Sequence, residues 1–267
     1  MEGEKNNSER FQRSIKIIEQ FFQNAPEDWE DNPPLEIPDK GTIHYYEAVE
    51  HIIPNALIEI GKSTHPDRHN IMLKAIQQPY YPEDENYTFH EVALEKLSEC
   101  DQSDIVEGIA EWVNDLEYDF DAYGCRDIKI SIQYTSLKAL ETALEICVKH
   151  KRREIVSQLE RFMEILPWVP SYAPWSEFSE LGPKYLAQLE GVDAFESLIN
   201  RLHYHHPKWE CDDDEIDSRV AGAIVSIGKE VIPLLKPYLN PDSDIYEGVV
   251  WILEQLGENP SNYNIHH

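Results

Sequence analysis

Basic residues are scarce in this chain, and their scarcity excludes several classes of partner. The 267 residues include 23 lysines and arginines against 51 aspartates and glutamates, which gives a formal net charge of −28. Nucleic acids and anionic membrane surfaces both require lysine and arginine side chains that neutralise phosphate groups. The composition therefore predicts that the chain binds neither, and that it favours a cationic partner such as a basic protein.

Cysteines and long apolar segments are also rare. The four cysteines (Cys100, Cys125, Cys147 and Cys211) are scattered and form no CxxC pair, a usage typical of reduced thiols in the cytosol. No apolar run approaches the roughly 18 residues that a membrane-spanning helix needs, and the polar N-terminus does not resemble a signal peptide. We therefore predict a cytoplasmic protein without a membrane segment.

The sequence motifs of common enzyme classes are absent. There is no GxSxG nucleophile motif, no GxxxxGK[ST] phosphate loop and no GxGxxG dinucleotide fingerprint. In a chain with 51 acidic residues, a neighbouring pair of carboxylates carries almost no information about catalysis. The sequence therefore predicts a protein that is not an enzyme and uses no cofactor.

A cluster of histidines leaves a metal-dependent enzyme as one alternative. His203, His205, His206 and Cys211 lie close together in the sequence, with carboxylates just beyond them. These side chains are suitable zinc ligands, but their spacing matches no established zinc motif. We therefore predict no metal site and keep the metal-dependent enzyme as an alternative.

Helical periodicity dominates the chain. The first helix is predicted from four apolar residues on one face: Phe11, Ile15, Ile18 and Phe22. Further helices are predicted over 43–60, 68–76, 88–97, 103–116, 136–148, 154–166, 177–189, 194–203, 215–227, 231–239 and 245–256. The second helix is expected to break near Pro54 and to end at Gly61. Strand-like alternation is confined to residues 128–134, so the predicted fold class is all-α.

Two segments of the sequence resemble each other. Residues 55–62 read NALIEIGK and residues 222–229 read GAIVSIGK, and each segment precedes a second helix, an acidic loop and a further apolar helix. Residues 218–257 also contain a proline in the second helix, Pro233, and an Asn-Pro-Asp loop at 240–242. This combination is similar to the HEAT-like helical repeats.

The resemblance to HEAT-like repeats is clearest over residues 218–257 and fair over 43–97. It implies a short α-solenoid of about five or six irregular units, in which stacked antiparallel helix pairs share one apolar core. HEAT-like arrays mostly bind proteins, so the resemblance implies a binding scaffold, although fold alone does not establish function.

The predicted organisation of the chain has five parts. They are an N-terminal capping helix with an acidic connector (1–41), N-terminal helical repeats (42–166), a proline- and aromatic-rich connection (167–176), C-terminal HEAT-like repeats (177–257) and a tail (258–267). The connection contains three prolines, Trp168 and Trp175, and it is longer than most connections between paired helices.

Negative charge is concentrated in one part of the sequence. Residues 83–121 contain fourteen acidic residues and one basic residue. Within this segment Glu107, Glu111 and Asp115 follow at intervals of four, which places three carboxylates on one helix face. Like charges at this spacing destabilise a helix by a few tenths of a kcal/mol per pair, so a basic partner would explain them better than stability does. A solvated face, screened by cellular salt, is the alternative.

Two other charged clusters have structural interpretations. The acidic run that ends at Asp217 precedes a predicted helix, and carboxylates are favourable at a helix N-terminus. The basic cluster at residues 149–153 follows a predicted helix, and cations are favourable at a helix C-terminus. We predict that both clusters mainly stabilise helix ends.

The predicted binding surface combines the acidic stripe with aromatic residues. Its residues are Glu107, Glu111, Asp115, Asp119, Asp121, Trp168, Trp175, Tyr80 and Tyr81. We predict a non-enzymatic protein-binding module, such as an immunity or inhibitor protein that occludes the basic cleft of a nuclease toxin. The alternative is a scaffold or adaptor that binds an apolar peptide in a groove lined by tyrosine and tryptophan.

Overall fold

The structure is a computed structural model that describes residues 2–24, 34–37, 40–78, 88–116, 136–165, 180–204 and 215–263. These residues are predominantly helical, as the periodicity of the sequence predicts. The chain divides into two compact units, residues Met1–His150 and Lys151–His267. Among the helices that the structure describes, none is both long enough and apolar enough to cross a membrane.

The N-terminal unit contains helices that pack in an alternating order. Its described elements are α1 (Glu2–Gln23), β1 (Pro34–Ile37), β2 (Gly41–His44), α2 (Tyr45–Gly61), α3 (Arg68–Ile76), α4 (Thr88–Leu97), α5 (Ser103–Asn114) and α6 (Leu137–Lys149). Helix α1 packs on α2, while α2, α4 and α6 contact one another in succession. Helices α3 and α5 also contact each other, and α5 packs on α6. The bounds of α3 and α4 coincide with the predicted ones.

A continuous series of rings forms the core of the N-terminal unit. Phe21 of α1 stacks on Tyr45 of α2 with ring centroids 5.1 Å apart, and it meets the edge of Phe89 of α4 at 5.6 Å. His90 follows Phe89 and meets the ring of Trp112 of α5 at 6.0 Å. All five side chains are buried. The rings therefore hold α1, α2, α4 and α5 together through apolar and aromatic contacts.

The buried face of α1 is displaced from the predicted one. Its buried side chains are Ser14, Ile17, Ile18 and Phe21. Phe11 and Phe22, which belong to the predicted apolar face, are only partly covered. Phe11 stacks on His65, and Phe22 lies beneath the Lys74 ammonium group at 4.5 Å. These two aromatic rings pack at the edges of the interface between α1 and its neighbours. The periodicity of the sequence does not distinguish residues at the edge of an interface from residues at its centre.

A β-hairpin occupies part of the segment predicted to be an acidic connector. Strand β1 pairs antiparallel with β2, and Leu35 lies opposite Ile43. Leu35 and Ile37 are buried while the other two side chains of β1 are exposed. The alternation spans four residues, too few to stand out as a strand signal. Ile43, predicted to begin a helix, therefore lies in β2.

Helix α2 runs without interruption through Pro54, contrary to the predicted break. Proline cannot donate a backbone hydrogen bond, so it normally leaves carbonyl groups of the preceding turn without a donor. The carbonyl that Pro54 leaves without its usual donor is that of Glu50, four residues earlier. The neighbouring His51 carbonyl accepts a hydrogen bond from the side chain of Asn55 with a nitrogen–oxygen distance of 2.6 Å. The ring of Pro54 is buried in the continuous helix.

Two glycines at equivalent places in the repeat-like segments have different conformations. Gly228 follows its helix with φ of 102°, a conformation that favours glycine. Helix α2 ends at Gly61 as predicted, but Gly61 is itself the last helical residue and does not adopt a positive φ. A Cβ atom there would lie 2.9 Å from Cγ of Lys96. Glycine at position 61 therefore permits the close approach of α4.

The C-terminal unit is also mainly helical. Its described elements are α7 (Val156–Ile165), α8 (Leu181–Glu190), α9 (Phe195–Ile199), β3 (His203–Tyr204), β4 (Glu215–Ile216), α10 (Ser218–Ile227), α11 (Ile232–Leu235) and α12 (Tyr246–Gln255). Helices α7, α8, α10 and α12 contact one another in succession. Helix α9 packs on α10, and α11 packs on α12.

Several helices of the C-terminal unit are shorter than predicted. The segment predicted as one helix over 231–239 consists of 3₁₀ turns at 229–231 and 236–238 on either side of α11. Pro233 and Pro237 both lack the amide hydrogen that a continuous α-helix requires. The predicted helices over 194–203 and 215–227 each lose one end to a short pairing of β3 with β4, in which His203 lies opposite Ile216.

Side-chain contacts fix the ends of helices in the C-terminal unit. The carboxylate of Asp217 caps α10 by accepting hydrogen bonds from the backbone N–H groups of Arg219 at 3.0 Å and Val220 at 3.4 Å. The structural interpretation of this acidic residue is therefore confirmed. The guanidinium of Arg153 binds both carboxylate oxygens of Glu190, with distances of 2.7 and 2.5 Å, and so joins the start of this unit to the end of α8.

Gly182 permits a close crossing of α7 and α8, and its replacement by alanine is expected to be destabilising. A Cβ atom at Gly182 would lie 2.8 Å from the Leu159 carbonyl oxygen and 3.1 Å from the Met163 backbone nitrogen. Because both are backbone atoms, the helices must separate to accept a methyl group. Gly182→Ala should destabilise the C-terminal unit by about 1 to 3 kcal/mol in urea denaturation.

Gly222 provides a matched control for the Gly182 variant. It lies inside α10, and a Cβ atom there would meet no other atom within 4 Å. Gly222→Ala should be neutral or stabilise the unit by up to about 1 kcal/mol, because alanine is the better helix former. If the two substitutions changed the urea midpoint in the same direction and by the same amount, a close α7–α8 crossing would be contradicted.

Candidate functional site

Helix α5 has one apolar side and one acidic side, as its periodicity predicts. Most of its apolar residues are buried, including Ile105, Ile109 and Trp112. Asp104 lies in the first turn, where a carboxylate interacts favourably with the helix dipole. The buried side of α5 therefore anchors the helix in the N-terminal unit and fixes the orientation of its outer side.

The outer side of α5 carries a row of exposed carboxylates. Glu107, Glu111 and Asp115, which we call the acidic face, are all exposed. Asp104 is exposed one turn earlier on the same side. Within the part of the chain that the structure describes, Glu111 and Asp115 have no lysine or arginine within ion-pair distance. The predicted placement of these three carboxylates on one accessible helix surface is therefore confirmed.

The acidic face costs the isolated helix some stability. Glu107, Glu111 and Asp115 repel one another at intervals of four residues. Asp115 is the C-cap residue of α5, so it also lies at the negative end of the helix dipole. The buried side of α5 must compensate for this repulsion.

The basic cluster at residues 149–153 is engaged in ion pairs. Within the N-terminal unit, the Nζ atom of Lys149 lies 2.9 Å from Oδ1 of Asp101, and this hydrogen bond and charge lower the pKa of Asp101. In the C-terminal unit, Arg153 binds Glu190 as described above. These contacts agree with the predicted stabilising role of the cluster at helix ends.

The remaining residues of the predicted binding surface lie outside the described residues. They are Asp119, Asp121, Tyr80, Tyr81, Trp168 and Trp175. The structure therefore brings together the acidic face and does not test the aromatic groove. The predicted connection at 167–176 and the strand-like segment at 128–134 also lie outside the described residues.

The metal-dependent alternative is tested only in part. Across 2–24, 34–37, 40–78, 88–116, 136–165, 180–204 and 215–263, no group of three or more histidine, cysteine, aspartate or glutamate side chains could share a metal ion. His203 lies in β3, but His205, His206 and Cys211 lie outside these ranges. A site that uses those three residues stays an untested alternative.

Two clusters in the N-terminal unit have no counterpart in the sequence analysis. Sγ of Cys100 lies 3.1 Å from Nδ1 of His69, which is also 3.2 Å from Oε1 of Gln102. A pocket of about 710 Å³ lies between α1 and the segment after α2. Each cluster joins residues far apart in the sequence, and no local pattern identifies them before the chain is folded.

Comparison with known proteins adds no assignment. No family model matches the sequence, and neither a curated protein nor a solved structure matches it. The chemistry of the chain's own residues is therefore the basis for its function.

Proposed function

We propose that this chain is a non-enzymatic protein-binding module that recognises a basic protein through the acidic face of α5. The observation that carries the proposal is the exposed row formed by Glu107, Glu111 and Asp115 on a helix whose opposite side is buried. Such a helix presents its charges in a fixed geometry. A rigid row of like charges is a recognition surface for a complementary row of lysines and arginines.

The energetics of α5 support a binding role. The repulsion along the acidic face is not needed for folding, since uncharged residues at the same positions would remove it. A basic partner would neutralise the three carboxylates and relieve that repulsion on binding. The net charge of −28 would also accelerate the association with a cationic partner, in a manner that falls with ionic strength.

The packing order of the helices supports the finer proposal of a HEAT-like solenoid. In stacked helix pairs, each helix contacts its neighbour in the chain and also the helix two positions away. The contacts of α2 with α4, α4 with α6 and α3 with α5 follow this rule. In the C-terminal unit, α8 with α10 and α10 with α12 do the same. We propose that each unit is a short stack of this kind.

The sharper proposal is an inhibitor or immunity protein that occludes a cationic active-site cleft, such as that of a nuclease toxin. A nuclease must hold lysine and arginine near its phosphate substrate. An acidic helix can occupy the same positions and exclude the nucleic acid. The partner class therefore follows from charge complementarity.

A capture experiment with charge-reversal variants tests the binding proposal. The full chain is immobilised, exposed to native extract and eluted with a salt gradient, and each fraction is identified by mass spectrometry. We expect a basic protein to elute at moderate salt, because ionic strength weakens complementary charge pairs. Glu107→Lys/Glu111→Lys should reduce its affinity by at least about tenfold while circular dichroism stays unchanged.

A second double variant separates the acidic face from general negative charge. Glu247 and Glu254 are exposed on α12, and Glu247→Lys/Glu254→Lys produces the same change in net charge. This control should retain the partner. A partner that resists high salt, or one that both double variants lose equally, would contradict recognition through the acidic face. Purified partner should also lose any nuclease activity when the wild-type chain is added, and keep it with Glu107→Lys/Glu111→Lys.

A further inference from the structure

A pocket in the N-terminal unit has the size and side chains of a small-molecule site. It has a volume of about 710 Å³ and lies between α1 and the segment that follows α2. Arg10 and Phe11 of α1 line one side, while Lys62 and His65 line the other. Its volume is typical of ligand pockets, and it shares no residue with the acidic face.

The charged side chains that line the pocket are Arg10, Lys62 and Glu59. The lining therefore carries a small net positive charge, although the whole chain has 23 basic and 51 acidic residues. Lys62 is balanced by Glu59, whose carboxylate lies 2.9 Å from Nζ. Arg10 is exposed and has no carboxylate within ion-pair distance among the residues that the structure describes. Its guanidinium is therefore available to bind a carboxylate or phosphate.

Two stacked rings supply the apolar part of the pocket. Phe11 and His65 have ring centroids 4.9 Å apart and planes inclined by 30°. Both side chains are only partly buried, so they leave ring surface that a planar ligand can contact. The backbone N–H of Asp67 donates to Nδ1 of His65 at 3.2 Å, and the Asp67 carboxylate lies 3.8 Å from the same nitrogen. A neutral imidazole that accepts this hydrogen bond has its proton on Nε2, where it can donate to a ligand.

The backbone carbonyls at the end of α2 are occupied by hydrogen bonds, and Lys62 and Arg10 offset the negative end of the helix dipole. The Ile58 carbonyl accepts a hydrogen bond from the backbone N–H of Lys62 at 3.1 Å. The Ile60 carbonyl accepts two from Ser63, from the backbone N–H at 3.0 Å and from the hydroxyl at 2.7 Å. Because these two carbonyl oxygens are occupied, they are not available as ligands of a metal cation. The exposed Thr64 adds a hydroxyl group to the lining.

We propose that this pocket binds a small molecule in which a phosphate or carboxylate is attached to a planar ring. Arg10, with Lys62 beside it, binds the anionic group, and Phe11 and His65 contact the ring. A nucleoside monophosphate is one compound of this class. The proposal is independent of the acidic face, so either can fail without the other.

Nuclear magnetic resonance titration of the full-length chain tests the pocket. Phenyl phosphate is the minimal probe and adenosine monophosphate is the larger one. We expect saturable chemical-shift changes of the backbone amides of residues 62–65, with a dissociation constant of about 1 mM or lower. Inorganic phosphate and benzyl alcohol each contain one half of phenyl phosphate, and each should bind at least about tenfold more weakly.

Substitutions assign the two halves of the ligand to the two halves of the pocket. Arg10→Gln should weaken phenyl phosphate binding at least about tenfold, since it removes a charge-assisted hydrogen bond. Phe11→Leu should weaken phenyl phosphate while leaving the weak binding of inorganic phosphate unchanged. Lys138→Gln is the charge-matched control, because Lys138 is an exposed lysine of α6, and it should have no effect. Absence of saturable binding by either probe up to about 10 mM, or equal loss in Arg10→Gln and Lys138→Gln, would overturn the proposal.

Discussion

Truncation of Trp112 to alanine is expected to destabilise the N-terminal unit by about 3 to 5 kcal/mol. The indole is 1% exposed and ranks first by size among the fully buried side chains of the described residues. It lies on α5 and meets His90 of α4 edge-on. Protein interiors are closely packed, so the surrounding helices can fill only part of the cavity that alanine would leave.

Native-state hydrogen exchange of the full chain measures this effect where it arises. Amides of α4 and α5 should exchange about two to four orders of magnitude faster in Trp112→Ala, the factor that corresponds to this free energy. Amides of α8 and α10, which belong to the C-terminal unit, should keep their wild-type rates. Exchange read by mass spectrometry of peptides separates the two units, which a single denaturation midpoint does not.

Two further tryptophan variants show whether burial is the cause. Trp251→Ala makes the same chemical change at a side chain that is 42% exposed, and it should cost less than about 1 kcal/mol. Trp112→Phe should cost less than half as much as Trp112→Ala. Phenylalanine fills most of the space, and the buried indole N–H has no hydrogen-bond acceptor among the described residues, so its removal loses no hydrogen bond. Equal exchange rates in Trp112→Ala and Trp251→Ala would contradict this account.

Trp112 and the acidic face lie on opposite sides of the same helix, and this has a consequence for binding experiments. Trp112→Ala should weaken partner binding indirectly, because it loosens the helix that presents Glu107 and Glu111. Charge reversal at these two glutamates should instead leave exchange within α5 close to wild type. Hydrogen exchange therefore distinguishes a variant that loses the recognition surface from one that loses its support.

The parts of the fold that depend on local periodicity could be predicted from the sequence. The bounds of α3 and α4 match, and the apolar and acidic sides of α5 are assigned correctly. Each of these helices is amphipathic, and acidic or proline-containing loops separate them. A helix with a clear apolar stripe can bury it in only one orientation, so sequence spacing alone places its exposed residues.

Features that depend on tertiary approach could not be predicted. Gly61 and Gly228 occur in similar local sequences, yet Gly61 is the last helical residue of α2 while Gly228 follows α10 with a positive φ. The β1–β2 hairpin is too short to produce a recognisable alternation. The pocket joins Arg10 to His65 across more than fifty residues, so no local pattern in the sequence places these side chains together.

The burial of His90 leads to a second large effect, a loss of stability in mild acid. His90 is buried among the core rings, and burial lowers the pKa of its imidazole from 6.5 to about 4, although a backbone contact with Gln78 acts in the opposite direction. In the unfolded chain the pKa returns to its ordinary value. The folded state therefore binds fewer protons, so stability is unaffected above pH 6.5 and falls as the pH decreases toward 4. The expected loss is about 2 kcal/mol at pH 5 and about 3 kcal/mol below pH 4.

Comparison with His90→Leu isolates this contribution from the titration of the many carboxylates. Leucine has a similar volume and no proton to bind, while all acidic residues are the same in both proteins. Hydrogen exchange of α4 and α5 at pH 7 and pH 5, corrected for intrinsic rates, should show the wild type losing about 2 kcal/mol more than the variant. Trp112→Ala should reduce the wild-type difference as well, because a cavity beside His90 admits water and raises the pKa of the imidazole. The contradicting result is an equal loss of stability in the wild type and in His90→Leu between these pH values. His90 would then be protonated as readily in the folded protein as in the unfolded chain. The buried series of rings would therefore not exclude water from the imidazole.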